Sequence, residues 1–170
     1  PNSPTLTVSG GKGFTTLAAT VSAGMEAVEI WHAENPRVDV VKAPFVELHR
    51  QGLTMSPADL PLTKNSLFDP HRSEAWVWGW DVLNHQRVAV PYASVSMGNT
   101  LHRPAARWMP FAAGSNGLAG GNHILEAVAA GLYEVAERDA VACARISGAA
   151  MSSRVDPTSI TSPLVTSLFE

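Results

Sequence analysis

Residues 115–140 read SNGLAGGNHILEAVAAGLYEVAERDA. A glycine-rich loop runs straight into a long helical pattern. At about 100° per residue, Asn122, Glu126 and Glu137 fall in one narrow sector, with Glu134 on its flank. Ile124, Leu125, Val128, Leu132 and Val135 occupy the other side and form a candidate core stripe. The stretch therefore predicts a helix that packs on one side and presents acids on the other. Ala129 and Ala130 leave room above the backbone between the acids, although Tyr133 shares that face. Arg138 adds a fixed cation near the end of the acid row.

Residues 16–35, TLAATVSAGMEAVEIWHAEN, repeat the design. Ser22, Glu26 and Glu29 stand at i, i+4 and i+7, again within one sector. Leu17, Val21, Met25 and Val28 supply the apolar side. Four or five carboxylates meeting in one space would either hold protons or bind cations. An all-oxygen donor set suits a hard cation such as Mg²⁺, which shares its ligands with substrate phosphates. The glycine-rich loop and the helix N-terminus offer backbone N–H groups for those phosphates. Carboxylates, Mg²⁺ and a polyphosphate thus make one consistent site. Taken alone, the same glutamates are read as a solvated helix face.

The 170 residues suit one domain with a sizeable core, and the formal net charge of −3 gives no basic field for nucleic acid. No apolar run is long enough to span a bilayer, and no signal-peptide pattern opens the chain. The lone Cys143 makes no internal disulfide and fits a reducing, cytoplasmic setting. Within a helix it is read as a small buried hydrophobe. The chain starts at Pro1 and stops inside SPLVTSLFE, so it is read as a single domain fragment, 1–170, truncated at both ends.

Residues 4–10 predict a short strand and residues 38–48 a strand interrupted at Pro44. Lys12, between glycines before the first helix, is either a solvated turn lysine or a phosphate contact. Residues 49–74 read as a connecting region with one short helix, in which His49 and His71 are surface residues. Residues 75–80 and 87–92 predict a hairpin closed at Asn84–His85–Gln86. Trp76, Trp78 and Trp80 alternate by two and share a strand face, which is read as packing against a helix rather than as a stacking platform. Residues 93–107 read as a loop whose Arg103 and Arg107 are either solvated or turned to an anionic substrate. The fold class is α+β, with strands packed against two long acid-bearing helices.

At these helices the sequence resembles the YcaO family. GKGFTTLAATVSAGMEAVE (11–29) and SNGLAGGNHILEAVAAGLYEVAERDA (115–140) carry the likeness, and WGWDVLNHQRVAVPY (78–92) is similar to the family's Trp–Gly–Asp…Val–Pro hairpin. The resemblance implies an ATP- and Mg²⁺-binding fold and an enzyme that activates peptide backbone amides. In cyclodehydratase members a Cys, Ser or Thr side chain of a precursor peptide attacks the preceding amide carbonyl. ATP phosphorylates the resulting oxygen, and elimination leaves a thiazoline or oxazoline; related members make thioamides. By motif, Glu26, Glu29, Glu126 and Glu137 match the acidic metal positions. Asn122, Glu134 and Arg138 match other nucleotide positions, and Lys12, Ser22 and Ser115 are weaker transfers. The implied partners are a precursor peptide with an E1-like (ThiF-like) leader-binding protein or a TfuA-like protein; a homodimer is left open, and no nucleic-acid or membrane partner is expected. The family's upstream lysine, downstream arginine and Pro-rich tail are not among these residues.

Two other readings carry different chemistry. Glu29-Ile-Trp-His32 is the Glu-x-x-His pattern of a di-iron bundle, but the second helix offers Glu134-x-x-Glu137 instead, and strands separate the two helices. Trp31–His32 reads more simply as an aromatic contact at a helix end. A nucleotide-binding or interaction module without catalysis is the non-enzymatic alternative.

Overall fold

The computed structural model describes residues 8–98, 110–148 and 156–167. Helix α1 spans Thr16–Glu34 and strand β1 spans Val40–Pro44. Helix α2 covers Phe45–Arg50, strands β2 and β3 cover Ser73–Asp81 and Gln86–Pro91, and a short α3 covers Tyr92–Val95. Helix α4 runs Ile124–Ser147, and α5 is the single turn Pro163–Thr166. The mixed α+β class expected from the sequence is the one found.

The sheet is antiparallel in the order β1-β2-β3, with Val41 and Pro91 opposite Trp76. Trp76 is fully buried, and its indole N–H donates to the Ala43 carbonyl at 2.9 Å. Around it gather Ala43, Phe45, Leu48, Leu60, Ala89 and Phe111. Phe45 comes from α2, so Trp76 does pack against a helix. Trp80, on the same strand face, is 59% exposed, and Arg87 lies over the Trp78 ring at 4.4 Å. The outer edge of β3 is partly covered, because the Ala89 N–H donates to the Leu53 carbonyl at 2.6 Å.

Several expectations need correction. The strand expected over 38–48 ends at Pro44, and residues 45–50 are helical. Proline fixes φ without blocking a helix that begins after it, and here Pro44 is the N-cap. Residues 8–10 form no strand, and residues 4–7 lie outside the described residues. The loop expected from 93 begins as helix α3; Arg103 and Arg107 lie outside the described residues.

The largest departure concerns the apolar stripes. Leu17, Val21, Met25 and Val28 on α1, and Ile124, Leu125, Val128, Leu132 and Val135 on α4, are exposed. Amphipathic periodicity predicts a face that seeks cover, and no described element supplies it. Cys143 is likewise exposed rather than buried. Ile30 and Ala33 near the end of α1 are buried, and the Met97 N–H donates to the Ala33 carbonyl there at 2.8 Å.

The hairpin turns at residues 82–85, with His85 at φ 53°. The Asp81 carboxylate holds this turn, accepting from the Leu83 and Asn84 N–H groups at 3.0 Å and from the Asn84 side-chain amide at 2.7 Å. The Asn84 side chain first, then its backbone N–H, hold the Asp81 carboxyl below its ordinary value. A depressed folded value contributes stability above the unfolded pKa and loses it as pH falls through the folded one. Asn84→Ala is therefore expected to raise the Asp81 titration midpoint toward the ordinary carboxylate value, read by carboxyl NMR across an acid titration. An unchanged midpoint would refute the assignment.

Candidate functional site

Helix α1 begins at Thr15, whose hydroxyl accepts from the Ala18 N–H at 3.1 Å, and it carries Ser22, Glu26 and Glu29, all half-buried. Residues 10–13 fold back over its first turns. A Cβ on Gly11 would lie 1.9 Å from the Ala19 carbonyl oxygen and 2.9 Å from the Ala23 methyl, so only glycine fits there. Small residues on both sides let the loop rest on the helix backbone. The Gly10 N–H then meets Glu26 Oε2 at 2.5 Å. Lys12, two residues on, is exposed.

The second loop is seated in the same way. Residues 115–118 form a turn in which the Leu118 N–H donates to the Ser115 carbonyl at 3.0 Å, with Gly117 at φ 79°. Ser115 opens this turn and is half-buried. Gly117 lies directly over α4 at Gly131, where a Cβ would come 2.5 Å from the Gly117 carbonyl oxygen. That contact fixes the loop against the helix. The Gly117 N–H donates to Glu134 Oε2 at 3.2 Å. Arg138 pairs with the other Glu134 oxygen and donates to Asn116 Oδ1 at 2.6 Å. Glu134, Arg138, Asn116 and Gly117 are thereby one knot.

The loop next turns toward α1. The Gly120 N–H donates to Glu29 Oε1 at 2.6 Å, across a sequence separation of 91 residues. A Cβ on Gly120 would stand 2.8 Å from that oxygen. Two residues later the Asn122 N–H and side-chain amide donate to Glu126 Oε2 at 2.9 and 3.3 Å. Glu29 and Glu126 therefore grip the two ends of Gly120–Gly121–Asn122, although they belong to different helices. His123 caps α4 by accepting the Leu125 N–H on ring Nδ1 at 3.1 Å.

The sequence placed Asn122 on the helix face, whereas α4 starts only at Ile124, and Asn122 sits in the loop instead. Glu137 is exposed on α4. Among the described residues no three His, Cys, Asp or Glu side chains are grouped as a set of metal ligands. Three of the four candidate metal glutamates instead accept backbone amides. His32 bonds the Val28 carbonyl through Nδ1 at 2.8 Å and meets Trp31 edge-on, as the aromatic-contact reading expected. Sequence reading missed Gly10, Asn116 and His123. Only His123 carried a signal, standing just before an apolar-periodic run with Glu126 three residues on.

Comparison with known proteins decides the family. The family profile described as YcaO cyclodehydratase, ATP- and Mg²⁺-binding, matches residues 10–170. The chain belongs to the YcaO family. An uncharacterised protein of Mycobacterium tuberculosis is 40% identical over 146 residues, covering 85% of this chain and 32% of the relative. An uncharacterised protein encoded in the tfuA 3′ region of Rhizobium leguminosarum bv. trifolii is 37% identical over 163 residues, covering 94% and 37%. The chain spans about a third of the length of these relatives.

Among solved structures, YcaO from Methanopyrus kandleri bound with AMPPCP and Mg²⁺ is 32% identical, with a TM-score of 0.56 over 80% of this chain and 32% of that one. A heterocyclase in complex with substrate and cofactor is 24% identical, with a TM-score of 0.58 over 73% and 19%, and shares the fold. ATP and Mg²⁺ are thus the cofactors of this YcaO family. The residue chemistry fits them, since the donor set is carboxylate oxygen of the kind Mg²⁺ takes, although among the described residues these carboxylates are not gathered at one point.

The packing predicts opposite outcomes for two helix glycines. A Cβ at Gly24 of α1 meets nothing within 4 Å, so Gly24→Ala is expected to stabilise by about 0.5–1 kcal/mol through helix propensity. Gly131→Ala drives a methyl into the Gly117 carbonyl and is expected to destabilise by about 1–3 kcal/mol. Urea unfolding of both variants checks the signs; stabilisation by Gly131→Ala would refute the seating of the loop.

Proposed function

We propose that this chain contributes the ATP- and Mg²⁺-binding site of a YcaO enzyme that activates backbone amides of a ribosomally made peptide. The bond from the Gly120 N–H to Glu29 carries the reading, because it brings an acid of α1 to the loop that Glu126 and Glu134 of α4 also grip. The complex of the Methanopyrus kandleri relative with AMPPCP and Mg²⁺ supports it.

In this reading Glu26, Glu29, Glu126 and Glu137 hold Mg²⁺. When bound, the metal supplies charge neutralisation for the phosphates. The N–H groups at Gly10, Gly120 and Asn122, with Asn122's side chain, orient the phosphates. Arg138, anchored on Glu134 and Asn116, gives a fixed charge-assisted donor. Lys12, Ser22 and Ser115 are assigned to the nucleotide on the family motif alone. Phosphoryl transfer asks mainly for alignment and neutralisation, which this set provides without a covalent protein intermediate. The amide oxygen takes the γ-phosphoryl group and leaves as phosphate, after attack by a peptide side chain for an azoline or by a sulfur donor for a thioamide. The relative encoded beside tfuA favours a TfuA-like partner protein over an E1-like one.

Two measurements test this. In Mg²⁺–ATP titrations of the full-length protein, Glu126→Gln and Glu137→Gln are each expected to weaken binding about tenfold or more, the loss of one charged ligand; affinities equal to wild type would refute the site. ATP turnover with a candidate precursor peptide is expected to exceed turnover without it. Product mass separates the chemistries, since azoline formation loses one water and thioamidation replaces oxygen by sulfur. ATP binding with no peptide-dependent hydrolysis would instead identify a nucleotide-binding module.

A further inference from the structure

The site's best anion donors already have anionic partners inside the chain. Gly10, Gly120 and Asn122 each give a backbone N–H to a carboxylate at 2.5, 2.6 and 2.9 Å. Those carboxylates are Glu26, Glu29 and Glu126, three of the four residues assigned to the metal. A phosphate oxygen needs the same N–H groups that these glutamates hold. Polyphosphate without a metal would also enter against the charge of the glutamates themselves.

We propose that Glu26, Glu29 and Glu126 are internal stand-ins for phosphate, and that a divalent cation exchanges them. The cation competes with the amide dipole for the carboxylate lone pairs, because the positive N–H end repels it. Drawing the three carboxylates together onto the metal leaves the Gly10, Gly120 and Asn122 N–H groups open, and the nucleotide phosphates then take them. The order of events follows: cation first, nucleotide second. The proposal rests on the Mg²⁺–ATP reading above and adds a partner exchange to it.

The chain contains its own control. Gly117 also donates to a carboxylate, that of Glu134, but Glu134 is paired with Arg138 and is not among the metal positions. Its amide is expected to keep its partner when only the cation is added. The exchange therefore has a specific pattern, with three amides released and a fourth left in place, which general loosening of the loops would not give.

Amide exchange with solvent, followed by ¹⁵N NMR on the protein, reads this pattern directly. Four samples suffice: ligand-free, Mg²⁺ alone, AMPPCP with EDTA, and both ligands together. Saturating Mg²⁺ alone is expected to speed exchange at Gly10, Gly120 and Asn122 by about tenfold, the loss of one charged hydrogen bond, and to leave Gly117 unchanged. Mg²⁺ with AMPPCP is expected to slow all three below the ligand-free rate. If Mg²⁺ with AMPPCP binds while Mg²⁺ alone leaves the three amides unmoved, the exchange is overturned and the nucleotide reading stands. AMPPCP binding equally well in EDTA has the same consequence. Failure of AMPPCP to bind under every condition overturns both.

Discussion

A single hydrogen bond, from the Gly120 amide to the Glu29 carboxylate, ties helix α1 to the loop that leads into α4. It joins a helix near one end of the chain to a loop 91 residues later, and a bond to a charged acceptor contributes about 1.5–3 kcal/mol. Without it, Glu29 would stand on an isolated helix face beside the like-charged Glu26. With it, Glu29 meets the same short backbone segment that Glu126 grips from the other side. A Cβ at position 120 would stand 2.8 Å from the oxygen it bonds, so the Glu29 side chain would have to shift to admit one.

The same logic recurs at the other loop seats. Gly11 lies on the backbone of Ala19 and Ala23, and Gly117 lies on Gly131. In each case a helix surface of small residues accepts a loop of glycines, and the close approach puts a backbone N–H within reach of a glutamate further along. Alanines and glycines in the helices are therefore as much part of the site as the acids. Seen only as a helical wheel, the small residues look like gaps between functional ones. In three dimensions they are where the loops land.

The sequence made this site legible in its residue types and not in its connections. Both long helices, the hairpin and the acid rows follow from 3.6-residue and two-residue periodicity, which survive in any context. The convergence of Glu29 with Glu126 is an inference from chemistry; in the structure the two accept from Gly120 and Asn122 of one loop. Asn122 was misplaced because periodicity continues smoothly across a cap, whereas the cap itself depends on His123, an unusual N-cap residue. Asn116 and Gly10 gave no signal, since their roles are fixed by contacts with residues far along the chain. The apolar stripes were read correctly as apolar and wrongly as buried. Periodicity shows that a face seeks cover, and it cannot say which part of a chain brings the cover.

The hydrophobic core and the site are consequently built from different forces. The cluster around Trp76 joins the sheet, α2 and Phe111, and contains no residue of α1 or α4. The site loops are held by charged hydrogen bonds and close backbone contact, largely at exposed or half-buried positions. Such bonds open at less free energy than a packed core, so the loops can move while the sheet stays folded. The proposed trade of one anionic partner for another needs that inequality. If the loops were sealed into the Trp76 cluster, releasing an amide would cost apolar burial as well as a hydrogen bond, and a metal ion could not drive the exchange by charge alone.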